Sequence, residues 1–327
     1  MGSGRGNAAF YCVSDDRFFL GAVGLINSLR LQGHAEPIFV LDCGLTPAQR
    51  ELLAPEVTIV PGPTDTPPYL LKTIAPLRHP ADVMVLIDAD MIATRSLAEL
   101  IEQASGGRVV AFRNDRDRFV PAWGELLDLG PVRRRPYVSV GLVFLGGSVG
   151  AEVLRLMDDR QRSVDFELTW YGKRVPDYPF LYPEQDVLNA ILCTRVEGDR
   201  IATLDHRLAA TPPYRELRLL DRSALRCAYG DGAEPYVLHQ FVRKPWLEPM
   251  YHGIYPRLLA RLLLAEDVAI RVPDAEVPLR MRDGVRARLE RWVVNALDLG
   301  RWYLRERLGR SIAGRVQARW SGRTPGA

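Results

Sequence analysis

The chain of 327 residues is long enough to bury a large core, and a composition of 47% hydrophobic and 25% charged residues is typical of a soluble globular protein. The formal net charge is +3, but from Arg280 onward twelve arginines face four acidic residues, so the remainder is acidic and is not predicted to bind nucleic acid. No apolar run reaches the roughly 20 residues that span a bilayer. The glycine-rich amino terminus lacks the apolar segment of a signal peptide, and four scattered cysteines predict free thiols, so a cytoplasmic location is expected.

Short apolar runs alternate with helix signals in the first half of the chain. The predicted strands cover 8–13, 38–41, 57–60 and 83–87, and a helix is predicted over 20–31. Thr46 and Gln49 form a capping box around Pro47, and a second box is predicted for Ser96 and Glu99. A further helix is expected to contain Lys72. Regular alternation of this kind predicts an α/β fold with a mostly parallel sheet and helices on both faces.

The second half of the chain is less regular. Strands are predicted over 109–113, 137–145, 201–204 and 236–238, and helices from 149, over 187–192 and over 255–264. The long polar stretch 114–136, which contains several prolines, is expected to form a mobile cover.

Two carboxylates, Asp88 and Asp90, follow the most apolar predicted strand. Ligands gather at the carboxyl ends of strands in open α/β sheets, and acidic residues separated by one alanine can share a divalent cation such as Mg²⁺ or Mn²⁺. The alternative for such a short motif is an acidic turn in solvent.

Three other polar groups follow apolar runs, and they would converge with these aspartates if one sheet carried them all. The groups are Ser14-Asp15-Asp16, Glu184-Gln185-Asp186, and His239 with Lys244. An imidazole ligand from His239 would favour Mn²⁺ slightly over Mg²⁺. A histidine considered alone is more often a surface or core residue.

Taken in order, these motifs resemble glycosyltransferase family eight, the retaining enzymes of the GT-A fold that include glycogenin and bacterial lipooligosaccharide galactosyltransferases. The resemblance covers roughly residues 8–246. It rests on Phe10-Tyr-Cys-Val-Ser-Asp-Asp, Phe39-Val-Leu-Asp-Cys-Gly, Leu71-Lys-Thr, Ile87-Asp-Ala-Asp-Met-Ile, Glu184-Gln-Asp-Val-Leu-Asn and His239-Gln-Phe-Val-Arg-Lys-Pro-Trp.

The resemblance implies a role for each of these positions. Asp88, Asp90 and His239 would hold the metal, Mn²⁺ or Mg²⁺. Gln185 would face the reacting side of the sugar, with Glu184 and Asp186 beside it at the catalytic centre. The residues implied to bind the UDP-sugar donor are Val13, Ser14, Asp15, Lys72, Asp88, Ala89, Ser139 and Lys244. Asp15 can accept a hydrogen bond from the uracil N3–H.

The sequence departs from the family pattern at three places. Ser139 stands where the family has an asparagine, and Glu184 stands where it has an aspartate. The closing motif is one residue shorter, and Val242 replaces a glycine that would let the backbone approach a phosphate. The loop before Lys244 must therefore close differently from that of the family.

The chain is predicted to divide into a GT-A domain over 1–265 and a basic helical C-terminal tail over 266–327. Apolar residues recur at helical spacing from Val285 to Leu297, and again from Leu304 to Trp320. Basic amphipathic helices with tryptophan are typical of segments that lie on anionic membrane surfaces. The tail is therefore predicted to contact the inner face of the membrane. The alternative is a pair of helices that pack back on the domain.

The resemblance predicts a metal-dependent retaining glycosyltransferase that moves a hexose from a UDP-sugar to a saccharide or lipid-linked acceptor. Two alternatives remain at this point: a catalytically impaired nucleotide-sugar-binding or scaffold protein of the same fold, and a sugar nucleotidyltransferase. The second would normally need a glycine-rich basic loop after its first strand, where Ser14-Asp15-Asp16 is acidic.

Overall fold

A seven-stranded sheet forms the centre of the computed structural model, which describes residues 7–297. Its strands in chain order are β1 (Ala8–Ser14), β2 (Ile38–Asp42), β3 (Thr58–Pro61), β4 (Val83–Ile87), β6 (Val109–Arg113), β7 (Val138–Gly146) and β8 (Ile201–Leu204). They lie in the order β3-β2-β1-β4-β7-β6-β8, and β7 alone runs antiparallel to its neighbours. The predicted mostly parallel α/β sheet is confirmed.

Alternate residues of β1 face two separate cores. Phe10 and Cys12 belong to one apolar cluster, whereas Ala9 and Tyr11 belong to the other. On the first side α1 (Phe19–Leu31) packs against α8 (Tyr255–Leu264), and on the second side α6 (Gly147–Arg160) packs against α7 (Pro183–Thr194). Helices therefore cover both faces, as predicted.

The shorter helices test the predicted capping boxes. They are α2 (Pro47–Leu53), α3 (Ile74–Arg78), α4 (Ala98–Ser105) and α5 (Trp123–Leu126), and a ninth helix, α9, covers 285–297. Thr46 forms the predicted reciprocal capping box with Gln49 at the start of α2. The second prediction is wrong: Leu97 is the N-cap residue of α4, and its side chain makes no cap hydrogen bond.

A small second sheet begins immediately after the two aspartates, where the chain leaves the main sheet. Its strands are β5 (Met91–Ala93), β9 (Ala209–Ala210) and β12 (Val237–His239), in the order β5-β12-β9. The strands β10 (Arg218–Asp221) and β11 (Arg226–Ala228) form a separate antiparallel pair. The polar groups are therefore not all carried by one sheet, because His239 ends β12 of the small sheet.

Two predicted site regions have a different local structure from the one expected. Lys72 lies in a turn between a 3₁₀ turn (Pro68–Leu70) and α3, and not in a helix. Glu184, Gln185 and Asp186 form the first turn of α7 instead of preceding the helix, because Pro183 already occupies the first helical position.

The stretch 114–136 and the start of the C-terminal region both contribute buried residues. Trp123 of α5 is fully buried in the second core, and Ile270, Val272 and Met281 belong to the first core. The division of the chain at residue 265 remains a prediction. The helix expected from Val285 is present as α9, whereas the second tail helix, predicted from Leu304, lies outside the described residues. Within 7–297, no helix is long and apolar enough to cross a membrane.

Candidate functional site

The turn Asp88–Asp90 lies where the two sheets meet. All five residues of β4 are buried, and the backbone N–H of Asp88 donates to the carbonyl of Gly141 on β7 at 2.9 Å. The chain then enters β5, which pairs with β12 so that His239 lies opposite Met91. This pairing explains how a histidine about 150 residues later in the sequence reaches the aspartates.

Three potential ligand atoms face one another at this junction. Nε2 of His239 lies 3.6 Å from Oδ2 of Asp88 and 3.3 Å from Oδ1 of Asp90, and the three ligand atoms lie within 4.8 Å of one another. Two carboxylate oxygens and one imidazole nitrogen are a donor set that suits a divalent metal such as Mn²⁺, Mg²⁺ or Zn²⁺.

A lysine holds the other oxygen of each carboxylate. Nζ of Lys72 lies 2.6 Å from Oδ1 of Asp88, and Lys244 donates to Oδ2 of Asp90 and to the carbonyl of Gln240. Both lysine side chains are largely buried. The shortened loop therefore closes by turning Lys244 inward onto Asp90. One oxygen of each aspartate is fixed, and the other is directed to His239.

The electrostatics of Asp90 favour its charged form. Burial raises the pKa of this carboxyl group, but His239 and Lys244 outweigh burial and the net direction is downward. Its Oδ1 atom is buried and makes no hydrogen bond with any residue in the described part of the chain. A buried anionic oxygen without a hydrogen-bond donor, beside an imidazole nitrogen, suits a divalent cation, so the residues present are compatible with a metal site.

The same arrangement leaves no space for a side chain at position 141. A Cβ atom on Gly141 would lie 2.8 Å from Cε1 of His239, 2.8 Å from the methyl of Met91 and 3.1 Å from Oδ2 of Asp88. Glycine at this position of β7 therefore lets the strand pass directly beneath the ligand atoms.

Glu184 lies close enough to interact electrostatically with this charge network. Its carboxyl group is buried, it accepts a hydrogen bond from Tyr171 at 3.4 Å, and burial raises its pKa although the charge of Lys72 opposes the shift. Conversely, burial lowers the pKa of Lys72, but Asp88 and Glu184 raise it by more.

The neighbouring residues on α7 are anchored in different ways. Oε1 of Gln185 accepts from the N–H of Val140 at 3.3 Å, which places its side chain against β7. Asp186 is fully buried and is bound by Arg118 at 3.0 Å and by the Tyr137 hydroxyl at 2.6 Å. Asp186 is thus held by a network of its own and is not brought to the three ligand atoms.

Six of the eight predicted donor-binding residues, all except Lys72 and Lys244, lie at the carboxyl ends of β1 and β4 and at the start of β7. Oδ1 of Asp15 accepts from the N–H of Phe18 at 2.9 Å, and Ser14 is buried. The buried Ala89 lies between the two aspartates, and its carbonyl would meet a Cβ on Gly21. The remaining two, Val13 and Ser139, are half-buried.

Sequence reasoning missed several aromatic residues beside Glu184. Tyr69 stacks on Tyr171 with ring centroids 4.0 Å apart, and Phe166 stacks on Tyr69 at 5.5 Å. These residues lie on two different loops, and no spacing in the sequence links them. Arg118, the partner of Asp186, was also missed because it lies in the region expected to be a mobile cover.

No protein-family model and no curated protein matches the sequence. A crystal structure of an active-site mutant of LgtC is 14% identical with a TM-score of 0.52, and the match covers 82% of this chain and 98% of that one. The galactosyltransferase LgtC in complex with donor and acceptor sugar analogues is 14% identical with a TM-score of 0.49, covering 79% and 98%. The bifunctional glycosyltransferase WbbM is 13% identical with a TM-score of 0.46, covering 75% and 48%.

The first of these similarities establishes the class of fold. The chain has the GT-A fold of glycosyltransferases, as the resemblance in the sequence predicts.

Proposed function

We propose that this chain is a metal-dependent retaining glycosyltransferase that transfers a hexose from a UDP-sugar to a saccharide or lipid-linked acceptor. The observation that carries the proposal is the Asp88–Asp90–His239 cluster at the carboxyl end of β4, in which a buried oxygen of Asp90 accepts no hydrogen bond from any residue in 7–297. The GT-A fold supports the proposal, because ligands of open α/β sheets bind at this edge.

A bound divalent cation would stabilise the negative charge that develops on the departing diphosphate. Asp88, Asp90 and His239 would hold it through the three atoms that already face one another. The Lys72 ammonium orients Asp88 and adds positive charge beside the diphosphate. Asp15 retains one carboxylate oxygen for the uracil N3–H, because Oδ1 is the acceptor for Phe18.

Gln185 is proposed to face the transferred sugar. An amide is a poor nucleophile, so a double displacement through this side chain is unfavourable, and attack by the acceptor on the face that the UDP leaves is the more consistent route. The buried Glu184, which precedes Gln185 on α7, contributes negative charge near Lys72.

The test is UDP release from a panel of UDP-sugars, with Mn²⁺ or EDTA, for the wild type and Asp88→Asn. Metal-dependent UDP release from one donor, lost in the variant, is the expected result. Pyrophosphate release would instead identify a nucleotidyltransferase. Tight metal-dependent UDP binding without transfer to any acceptor in a saccharide and glycolipid panel would identify a nucleotide-sugar-binding protein.

We further propose that α9 contacts an anionic membrane surface. Its inward face is anchored by the buried Ala287 and Val294, whereas Val285 and Trp292 are 72% and 70% exposed on the opposite face. Apolar residues at this spacing, on a helix within an arginine-rich segment, are typical of interfacial helices.

Vesicle co-sedimentation tests this second proposal. Binding to vesicles that contain phosphatidylglycerol is expected to fall in Trp292→Ser and to remain in the control Leu126→Ser, since Leu126 is 50% exposed elsewhere on the surface. Equal loss in both variants, or equal binding to neutral vesicles, would contradict it.

A further inference from the structure

A cleft separate from the metal cluster opens at the carboxyl end of β6. Its volume is about 420 Å³, and the polar residues that line it are Arg113, Asn114, Asp117, Arg134, Arg135 and Tyr137. None of them belongs to the charge network around Asp88 and Asp90. The cleft is therefore distinct from the proposed metal site.

Two of the three guanidinium groups in this cleft have no acidic partner within the described part of the chain. The side chain of Arg134 is paired with Asp117 at 2.8 Å, whereas the side chain of Arg113 makes no ion pair or hydrogen bond with any residue in 7–297. Arg135 donates from Nη2 to the carbonyl of Val196 at 2.5 Å, and its buried Nε has no partner among those residues. Unpaired guanidinium groups that line a concavity favour an anion, and their planar forks match carboxylate and phosphate oxygens.

The charge of the rest of the chain indicates which class of anion the cleft would bind. Outside the segment from Arg280 onward the chain is net acidic, so three arginines and one aspartate in the cleft make a local positive site and not a domain-wide basic surface. A nucleic acid would need such a surface along its backbone. A single anionic group on a small molecule fits better.

The strand β7 connects the cleft to the proposed catalytic centre. Arg113 pairs in register with Val138, and the N–H of Asn114 donates to the Tyr137 carbonyl at 2.8 Å. From Tyr137 the strand runs four residues to Gly141, beneath the metal cluster. At ~3.4 Å per residue, the cleft lies roughly 14 Å from the ligand atoms, a separation that a short oligosaccharide can span.

We propose that this cleft binds a carboxylate or phosphate group of the acceptor saccharide, at a distance from the sugar that receives the hexose. The inference rests on the proposed function. Arg113 and Arg135 would hold the anionic group, and Asn114 and the Tyr137 backbone would border it. The acceptor is then an acidic or phosphorylated saccharide.

The test uses full-length protein in EDTA, so that the metal cluster makes no contribution, and two matched pairs of probes. Lactobionate is compared with lactose for the carboxylate, and glucose 6-phosphate with glucose for the phosphate. Binding is followed by ligand-observed NMR. At least one anionic probe is expected to bind while its neutral counterpart does not, which also identifies the kind of anion.

Variants locate the binding site. Arg113→Gln is expected to lower the affinity for the anionic probe at least about tenfold, because a charge-assisted hydrogen bond is lost. Arg116→Gln, the same change at an exposed residue outside the cleft, is expected to bind as the wild type does. Arg135→Lys keeps the charge but loses the fork, and should also bind more weakly. Equal binding by the Arg113→Gln and Arg116→Gln variants, or binding of the neutral probes, would overturn the proposal.

A separate measurement distinguishes this inference from the proposed function. UDP binding in Mn²⁺ is measured on the same variants and is expected to be unchanged by Arg113→Gln. If the wild type binds an anionic probe but no UDP, the cleft is an anion-binding site and the glycosyltransferase proposal fails. The proposal that the bound anion belongs to an acceptor saccharide then fails as well.

Discussion

Nζ of Lys72 lies 2.6 Å from Oδ1 of Asp88, and this contact leaves Oδ2 as the oxygen that faces His239. Lys244 has the same relationship to Asp90, since it holds Oδ2 and leaves Oδ1. In each aspartate, a lysine ammonium group thus binds the carboxylate oxygen that does not face His239. Partners of this kind fix the geometry of metal ligands and tune their affinity.

Asp90→Asn is expected to destabilise the metal-free protein. The substitution leaves the Lys244 ammonium buried beside a neutral amide, and loss of one partner of a buried pair costs roughly 3–5 kcal/mol. Chemical denaturation should show this loss in the free energy of unfolding. The double variant Asp90→Asn/Lys244→Met should recover part of the loss; strictly additive effects would mean that the two residues are not coupled.

Lys72→Met is expected to separate metal binding from nucleotide binding. Removal of a positive charge beside Asp88 reduces repulsion of a divalent cation, so the affinity for Mn²⁺ alone should be equal or higher. The affinity for UDP in saturating Mn²⁺ should fall about tenfold, because a cation near the diphosphate is lost. Calorimetry measures both affinities, with Lys173→Met as the control at an exposed lysine. A parallel fall in both affinities would show that Lys72 acts only on the metal ligands.

Gly141→Ala is expected to weaken Mn²⁺ binding about 10- to 100-fold, the range seen when residues behind metal ligands are changed. The added methyl would lie 2.8 Å from the His239 ring, which must move away from the two aspartates. Gly230→Ala is the matched control, because no atom lies within 4 Å of its added methyl. Metal titration followed by electron paramagnetic resonance compares the two. Equal affinities would show that His239 is not held in place by β7.

The stability of the metal-free protein should depend on Glu184 at neutral pH. Burial raises the pKa of this carboxyl group in the folded state, so the folded protein binds the proton more tightly than the unfolded chain. Stability is therefore lost as the pH rises from about 4.3, the usual pKa of glutamate, through the raised value. Glu184→Gln should unfold at a higher temperature than the wild type at pH 7, and the difference should shrink toward pH 4. The exposed Glu125→Gln should show no such trend.

The sequence predicts the positions of most strands and the Asp88–Asp90 site, because buried runs such as 83–87 and the polar residues that end them have strong local signatures. It does not predict that β7 is antiparallel, since a strand buried on both faces has the same pattern in either direction. It also assigns Lys72 to a helix, whereas only a five-residue helix forms after it.

The arrangement of His239 and Lys244 depends on tertiary structure. The small sheet that carries His239 pairs β5 with β12 across about 145 residues, and no local pattern specifies such a pairing. The inward turn of Lys244 follows from the shortened loop, which the sequence shows only as a missing residue. Ser96 illustrates the reverse case: the sequence has the residue types of a capping box, but the box does not form because the turn into α4 places Leu97 at the N-cap.

Arginine supplies almost all the basic charge of this chain, and only Lys72, Lys173 and Lys244 are lysines. Two of these amines are buried against carboxylates, and the third is exposed on a loop. An amine-reactive dye or activated resin will therefore find Lys173 as the accessible lysine of the folded protein, in addition to the terminal amine. The protein can thus be labelled or immobilised through amine coupling while its two buried ammonium groups stay unmodified.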